Sequence, residues 1–403
     1  MLFGVILWRY LTAKGDRIVR GVRSITLAEA LKDVEDPRAD RVVRYPLPEV
    51  LFTVVAGMLC GGDNYSDIAE IGRGHLEWYQ EYLPFANGIP GAGTLAAVMR
   101  MIDPQQIHEA FSTWMNSVLT ERGIDIADNV IAIDGKQARR TKDTDKKPLH
   151  VVSAVLSNWE LVLGQVSCEQ KSNEITAIPR LLDLLVLEGA IVTIDAAGTQ
   201  LGIAEYIREK GADYLLCVKK NRKKQYQELT DFFAPCLENN YAPQNGGYAK
   251  TTDAEHGRFE TRECWICNDV SNFPQTSKWK DAAGAAAIRN TTENDGKTKT
   301  EVRYFIYSMS DITADSFLAW RRAHWSIENG LHWVLDITFR EDESRARKDY
   351  SAENLNAVRH IVFNVLRLAG DPKKSMRIRR IRCDHSQPTF NAAIHQFGFG
   401  DIL

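Results

Sequence analysis

No apolar run in this 403-residue chain is long enough to cross a bilayer, which takes roughly 20 residues. The opening MLFGVILWRYL comes nearest. It is too short to span and is followed by no small-residue cleavage site, so residues 1–23 read as a leader of uncertain structure rather than a signal peptide. A dominant charge is missing as well. Lys and Arg number 50 against 53 Asp and Glu, a formal net charge of -3. Bulk charge therefore draws in no nucleic acid, and such a partner has to be met by local basic clusters. Cysteine is sparse: seven, odd in number and without framework spacing, as expected of reduced thiols in a cytoplasmic protein. Cys264-Trp-Ile-Cys267 has no second pair and would alternate across a strand, so it reads as structural. Gly211 and Gly257 lack phosphate-loop spacing, and no nucleotide cofactor is expected.

What the chain does have is a repeated strand ending. In VIAIDGK, Val130 to Lys136, an apolar run stops at Asp134 and Gly135 follows. In AIVTIDAAG, Ala190 to Gly198, a second run stops at Asp195 before small residues. Carboxylates at the ends of buried strands sit at a sheet rim, where open α/β sheets carry their ligands.

Taken in order, residues 24–122 carry helical periodicity and capping signals throughout and read as an all-α N-terminal domain. The helices flanking Gly88 to Thr94 are a candidate DNA-reading helix-turn-helix, with a plain helical bundle as the alternative. From residue 128 the pattern becomes strand, strand, strand, helix, strand, helix, strand, with LHVVSAVLS and ELVLGQVSC as a hairpin and EITAIPRLLDLLVLEG as a helix up to Gly189. The fold class is α/β, a mixed sheet with flanking helices spanning 128–370. A β-rich insertion is expected at about 220–300, its later part polar and turn-rich. Residues 371–403 form a basic C-terminal tail.

A third acid is sought on the helix from Ala314 to Asp336. Trp320, Ala323, Ile327, Leu331 and Val334 make its apolar stripe; His324, Glu328 and His332 follow at four-residue steps beside it. Glu328, expected to pack among Trp325 and Trp333, is the candidate, with Asp336, Glu341 and Asp342 competing. Three carboxylates suit two Mg²⁺ ions about 3.5–4 Å apart, which stabilise the attacking and leaving oxygens of an in-line phosphodiester displacement. Hard oxygen donors without thiolate argue against zinc.

Together AIDGK, SNEITAIPRLLDLL, VTIDAAGTQ, IAEYIREKGADYLLCVK, HGRFETR and HWSIENGLHWVLDITFREDESR resemble the H-repeat-associated insertion-sequence transposases, as does DPRADRVVRYPLPEVL ahead of them. The resemblance covers roughly residues 30 to 370 and implies a DDE-type transposase with an RNase H-like, retroviral-integrase-like core. It places the catalytic and metal-binding acids on Asp134, Asp195 and Glu328. It further implies Mg²⁺ (two ions, with Mn²⁺ able to substitute), cleavage of double-stranded DNA at element ends, strand transfer into target DNA, and a homo-oligomer on DNA. Candidate DNA contacts are Lys136, Arg139 and Arg140 after the first Asp, Lys219, Lys220, Arg222, Lys223 and Lys224 after the fifth strand, and His324 beside Glu328. Phosphate contacts of this kind would steepen the salt dependence of binding. A nuclease that does not join strands and an inactive DNA-binding relic are the competing readings.

Overall fold

The computed structural model describes residues 25–38, 43–142, 147–168, 174–255, 258–294 and 297–398; the leader lies outside them. Six helices come first: α1 (Leu27–Ala30), α2 (Leu47–Leu59), α3 (Tyr65–Gly74), α4 (Leu76–Tyr79), α5 (Ala92–Met101) and α6 (Pro104–Glu121). Their ends follow local chemistry. Thr26 and Glu29 form a capping box on α1, the Asn64 side chain accepts from the first-turn N–H groups of α3, and Pro104 opens α6 behind Asp103, each satisfying or removing an orphan donor. The chain between Tyr79 and Ala92 is far longer than the three- or four-residue turn of a helix-turn-helix. These helices pack as a bundle instead.

The sheet starts with β1 (Val130–Gln137), β2 (His150–Leu156) and β3 (Leu161–Cys168). Then come α7 (Glu174–Asp183), β4 (Ile191–Ile194), α8 (Leu201–Glu209), β5 (Asp213–Val218) and α9 (Lys223–Asn239). Strands β1, β4 and β5 run parallel and β2 runs antiparallel between β1 and β3. The order 3-2-1-4-5 with β2 reversed is the RNase H-like mixed sheet expected from the sequence. Helix α7 ends at Asp183, short of Gly189, and the turn that follows buries Leu185 and Leu187 ahead of β4 while Val186 is exposed.

Strands β6 (Gly246–Glu255), β7 (Arg258–Cys267), β8 (Gly284–Asn294) and β9 (Lys297–Tyr307) form the insertion. They do not stand apart. β9 pairs with β5, so one nine-stranded sheet runs β3-β2-β1-β4-β5-β9-β8-β7-β6. The stretch expected to be turn-rich contains all of β8. Its alanine run has little intrinsic strand preference, and pairing on both sides overrides that.

α10 (Ala314–His324), a π-helical turn (Ile327–His332), α11 (Trp333–Ile337) and α12 (Ser351–Ala369) follow. One face of the sheet is covered by α6, α7, α8 and α12, and its core is continuous with that of the N-terminal helices. The other face packs Val130, Ile191, Leu215, Cys264, Ile288 and Phe305 against Phe317 and Leu318 of α10. The edge of β3 is closed by a side chain. Asn364 of α12 accepts from the Val162 N–H at 2.9 Å and donates to its carbonyl at 2.7 Å, satisfying groups that an edge strand leaves open.

The basic tail folds into α13 (Met376–His385) and α14 (Gln387–His395). Two of its cations are buried braces: Arg379 donates to the Leu366 carbonyl, and Arg380 to Met58, Gly62 and Asp63. Among the described residues no helix is long and apolar enough to cross a membrane.

Candidate active site

Strand register brings the first two acids together. β1 and β4 pair in parallel up to Ile133↔Ile194, where β4 stops. β1 continues to Gln137 against β2 alone, so Asp134 is not the strand end but the point at which its parallel neighbour leaves. Asp134 and Asp195 are thus level, one strand spacing (~4.8 Å) apart. They share the parity of Val130 and Ile191, which face α10. Small residues then hold the loop after Asp195. Its Oδ1 accepts the Ala197 N–H at 2.9 Å, and the buried Thr199 hydroxyl donates to the Cys217 carbonyl at 2.7 Å. Asn221 Nδ2 donates to the Ala196 carbonyl at 3.0 Å.

Glu328 arrives by a wider turn than the sequence suggests. The periodicity predicts a single α-helix from Ala314 to Asp336; α10 instead ends at His324, and the Trp333 N–H reaches back to the Glu328 carbonyl across a π turn. Such turns hold an extra residue and recur at functional sites. The even four-residue spacing of His324, Glu328 and His332 is therefore broken. Glu328 is exposed rather than packed among tryptophans, and Trp333 itself is 59% exposed. His324 takes the buried place. Its Nδ1 lies 2.8 Å from the Thr193 hydroxyl on β4, and burial, then Arg321, lower its pKa to about 3. A neutral, buried imidazole meets no phosphate, and the expectation of a DNA contact at His324 is corrected on that ground.

The acids sense one another. Burial first, then the charges of Asp195, Glu328 and Glu174, raise Asp134 from 3.8 to about 7, against a lowering by the Gly135 N–H. The nearest basic side chain, His332, has Nδ1 3.7 Å from Asp134 Oδ2, but burial and Lys136 lower its pKa to about 4 and keep it neutral. Among the described residues no lysine or arginine pairs with any of the three acids. An uncompensated set of oxygen donors is what a hard divalent cation fits. The three stand open: their oxygens do not all lie within 4.8 Å, a spacing reached among the described His, Cys, Asp and Glu trios by Cys60, His75 and Asp384 alone.

Lys136, expected at the DNA backbone, turns elsewhere. Its Nζ donates to Glu341 at 2.6 Å and to Asp336 at 2.7 Å, with Asp342 at 3.9 Å. The rival candidates for the third acid are thereby assigned as its partners. Glu341 is 1% exposed and also accepts from Asn356. Burial pushes its pKa up, but Lys136 and Arg359 outweigh that and bring it to about 2. A second buried pair escapes sequence reading: His150 Nε2 and Glu174 Oε1, 2.6 Å apart. Gly135 was the available signal, because a Cβ there would stand 2.5 Å from Glu174 and 2.6 Å from His150.

Of the remaining cations, Arg139 is exposed and reaches Asp342 at 3.2 Å, and Arg140 is exposed. Lys219, Lys220, Lys223 and Lys224 are exposed just past β5. Arg222 is a brace: it lies over Trp279 at 5.5 Å and donates to the Thr199 carbonyl.

Comparison with known proteins adds an independent finding. Residues 125–365 match the transposase DDE domain, and residues 28–115 match the region described as DDE_Tnp_1-associated. "Putative transposase YncI" of Escherichia coli O157:H7 is 37% identical over 362 residues, 88% of this chain and 90% of that one. "H repeat-associated putative transposase YhhI" of Escherichia coli K12 is 36% identical over 349 residues, 84% and 90% of the two chains. A piggyBac transposase synaptic complex with hairpin DNA aligns over 96% of this chain and 79% of that chain at 9% identity, with a TM-score of 0.42, too slight a likeness to carry an argument.

Proposed function

The chain belongs to the transposase DDE-domain family, and from that premise we propose that it cuts DNA at the ends of an insertion element and transfers the freed strand to target DNA. The observation that carries the reading is the parallel register Ile133↔Ile194. It delivers Asp134 and Asp195 side by side toward α10, which leads into the π turn that bears Glu328. These three would hold two Mg²⁺ ions, or Mn²⁺ in their place. When bound, the cations supply charge for the attacking and leaving oxygens of the phosphodiester.

The residues of the chain prepare that chemistry. Asp134 retains a proton to about pH 7 in the metal-free protein, so loading releases it. The Ala197 N–H holds Asp195 in one orientation. Lys136 and its three acids tie β1 to the segment after Glu328, keeping the strand and the helix in register. Lys219, Lys220, Lys223 and Lys224, with Arg139 and Arg140, provide exposed positive charge for the DNA backbone. Lys136 and Arg222, engaged by protein partners, hold the site in place. Pairing of two element ends would require a homo-oligomer.

The test incubates purified protein with a duplex carrying the element border, with and without Mg²⁺, and resolves the products on a denaturing gel. Cleavage to a 3′-hydroxyl followed by joined product is expected. Asp134→Asn, Asp195→Asn and Glu328→Gln should each abolish both steps while DNA binding persists. Cleavage unchanged by Asp134→Asn would sink the assignment. Cutting without joining would make the protein a nuclease, and binding without cutting an inactive relic; the name of one relative, "Inactive transposase YbfQ" of Escherichia coli K12, 30% identical over 73 residues, gives that last outcome its place.

A further inference from the structure

The sheet face that packs on α10 changes character along the insertion strands. Near the core, β7, β8 and β9 present Cys264, Ile288 and Phe305 to α10. Further out, positions of the same parity are Arg262, Asn290 and Arg303, with Arg262↔Asn290 and Ile288↔Arg303 paired in register. The end of α10 adds Arg321, Arg322 and, just beyond it, Trp325 to the same concavity. Four arginines from three elements therefore line one seam.

Three of them have carboxylate partners. Arg262 meets Asp253 at 2.5 Å and Glu260 at 2.7 Å, Arg322 reaches Asp253 at 3.4 Å, and Arg303 meets Glu301 at 2.9 Å. Arg321 has none among the described residues. Its guanidinium lies over two aromatic rings instead, with Cζ 5.4 Å from the Phe305 ring centre and 5.9 Å from that of Trp325. Burial, against a raising by Cys217 and with Arg303 adding to the lowering, holds its pKa below the usual arginine value, yet arginine stays charged in proteins. A half-buried cation without a counter-charge is costly. Aromatic rings attract a guanidinium without accepting its N–H groups in ordinary hydrogen bonds, and this planar fork is suited to an oxyanion. The position also matters: Arg321 lies seven residues before Glu328 and feels the charges of Glu328 and Asp134.

We propose that this seam receives a phosphate of the DNA strand lying across Glu328, with Arg321 as the receiving group and Arg322 at its outer lip. The proposal rests on the reading of the chain as an enzyme acting on DNA. It gives the insertion a positioning role, in which strands β7 to β9 and α10 together fix the DNA backbone beside the three acids.

The experiment measures binding of a labelled element-border duplex by anisotropy from about 50 to 200 mM salt, where each phosphate contact contributes roughly 0.9 to the slope of log affinity against log salt. Arg321→Met keeps an unbranched stem and loses the charge; it should lower the slope by about one contact. Arg321→Lys should keep the slope while the cleavage rate falls, because the charge stays and the planar fork is lost. Arg322→Gln, at an exposed position, should lower the slope in a chain that stays folded, whatever Arg321→Met does to the fold. Wild-type protein that fails to bind the duplex overturns the reading of the chain itself. Wild type that binds and cuts, with Arg321→Met and Arg322→Gln keeping the full slope, overturns the arginine seam alone.

Discussion

Asp134 shows how a single partly buried carboxyl links the site to stability. Its folded pKa of about 7 stands above the ordinary 3.8, so its contribution is full below about pH 4 and is lost as pH rises through 7. The span of about 3 units corresponds to roughly 4 kcal/mol as a ceiling. In chelator, the melting temperature of Asp134→Asn should exceed that of wild type at pH 8, and the gap should close toward pH 4. A gap independent of pH would refute this account. Glu341 has the opposite sign. Its pKa of about 2 lies below the ordinary 4.5, so its stabilisation holds above pH 4.5 and is lost as pH falls toward 2. Glu341→Gln should cost about 3 kcal/mol at pH 7, the low end for breaking a buried pair, because Asp336 stays with Lys136. Denaturant titration at pH 7 and at pH 3 would show the cost shrinking in acid. At this scale the sequence was legible where chemistry is local. Apolar runs ending in Asp134 and Asp195 can be read off one segment. Lys136 could not be, because the acids that claim it lie 200 and 205 residues away.

Among the elements, the π turn is the least legible, because it is a hydrogen-bonding pattern and leaves no mark in composition. The apolar stripe on Ile327, Leu331 and Val334 does show in the sequence, and all three are buried. Glu328, beside that stripe, nevertheless comes out exposed. The edge of β3 offers a cleaner test. Asn364→Ala leaves the Val162 N–H and carbonyl buried and unpaired, at a cost of about 1–3 kcal/mol for each such group. Hydrogen exchange at the Val162 amide should accelerate along with the fall in stability. An amide as protected as in wild type would show that the side chain does not close the edge.

In the whole molecule, the mixed sheet with flanking helices followed from strand and helix alternation, whose periods are set by short-range pattern; its spatial order 3-2-1-4-5 is a matter of long-range pairing. The union of insertion and core into one sheet did not follow either, because the β5–β9 pairing joins residues nearly ninety positions apart. The tail shows the same limit. Its sequence shows only a basic run, while Arg379 and Arg380 lock α13 onto carbonyls of α12, of the end of α2 and of the turn after it.

The unbroken ladder from β4 to β6 has a metric meaning. Five strand spacings of about 4.8 Å place the free edge of β6 roughly 24 Å from the strand that carries Asp195. That is about seven base-pair steps of duplex at 3.4 Å each. Hydrogen-bonded strands do not stretch as a linker does, so the sheet holds the β6 edge at a fixed distance from the end of β4. A strand added to or removed from the insertion would shift that edge by about 4.8 Å, more than one base-pair step.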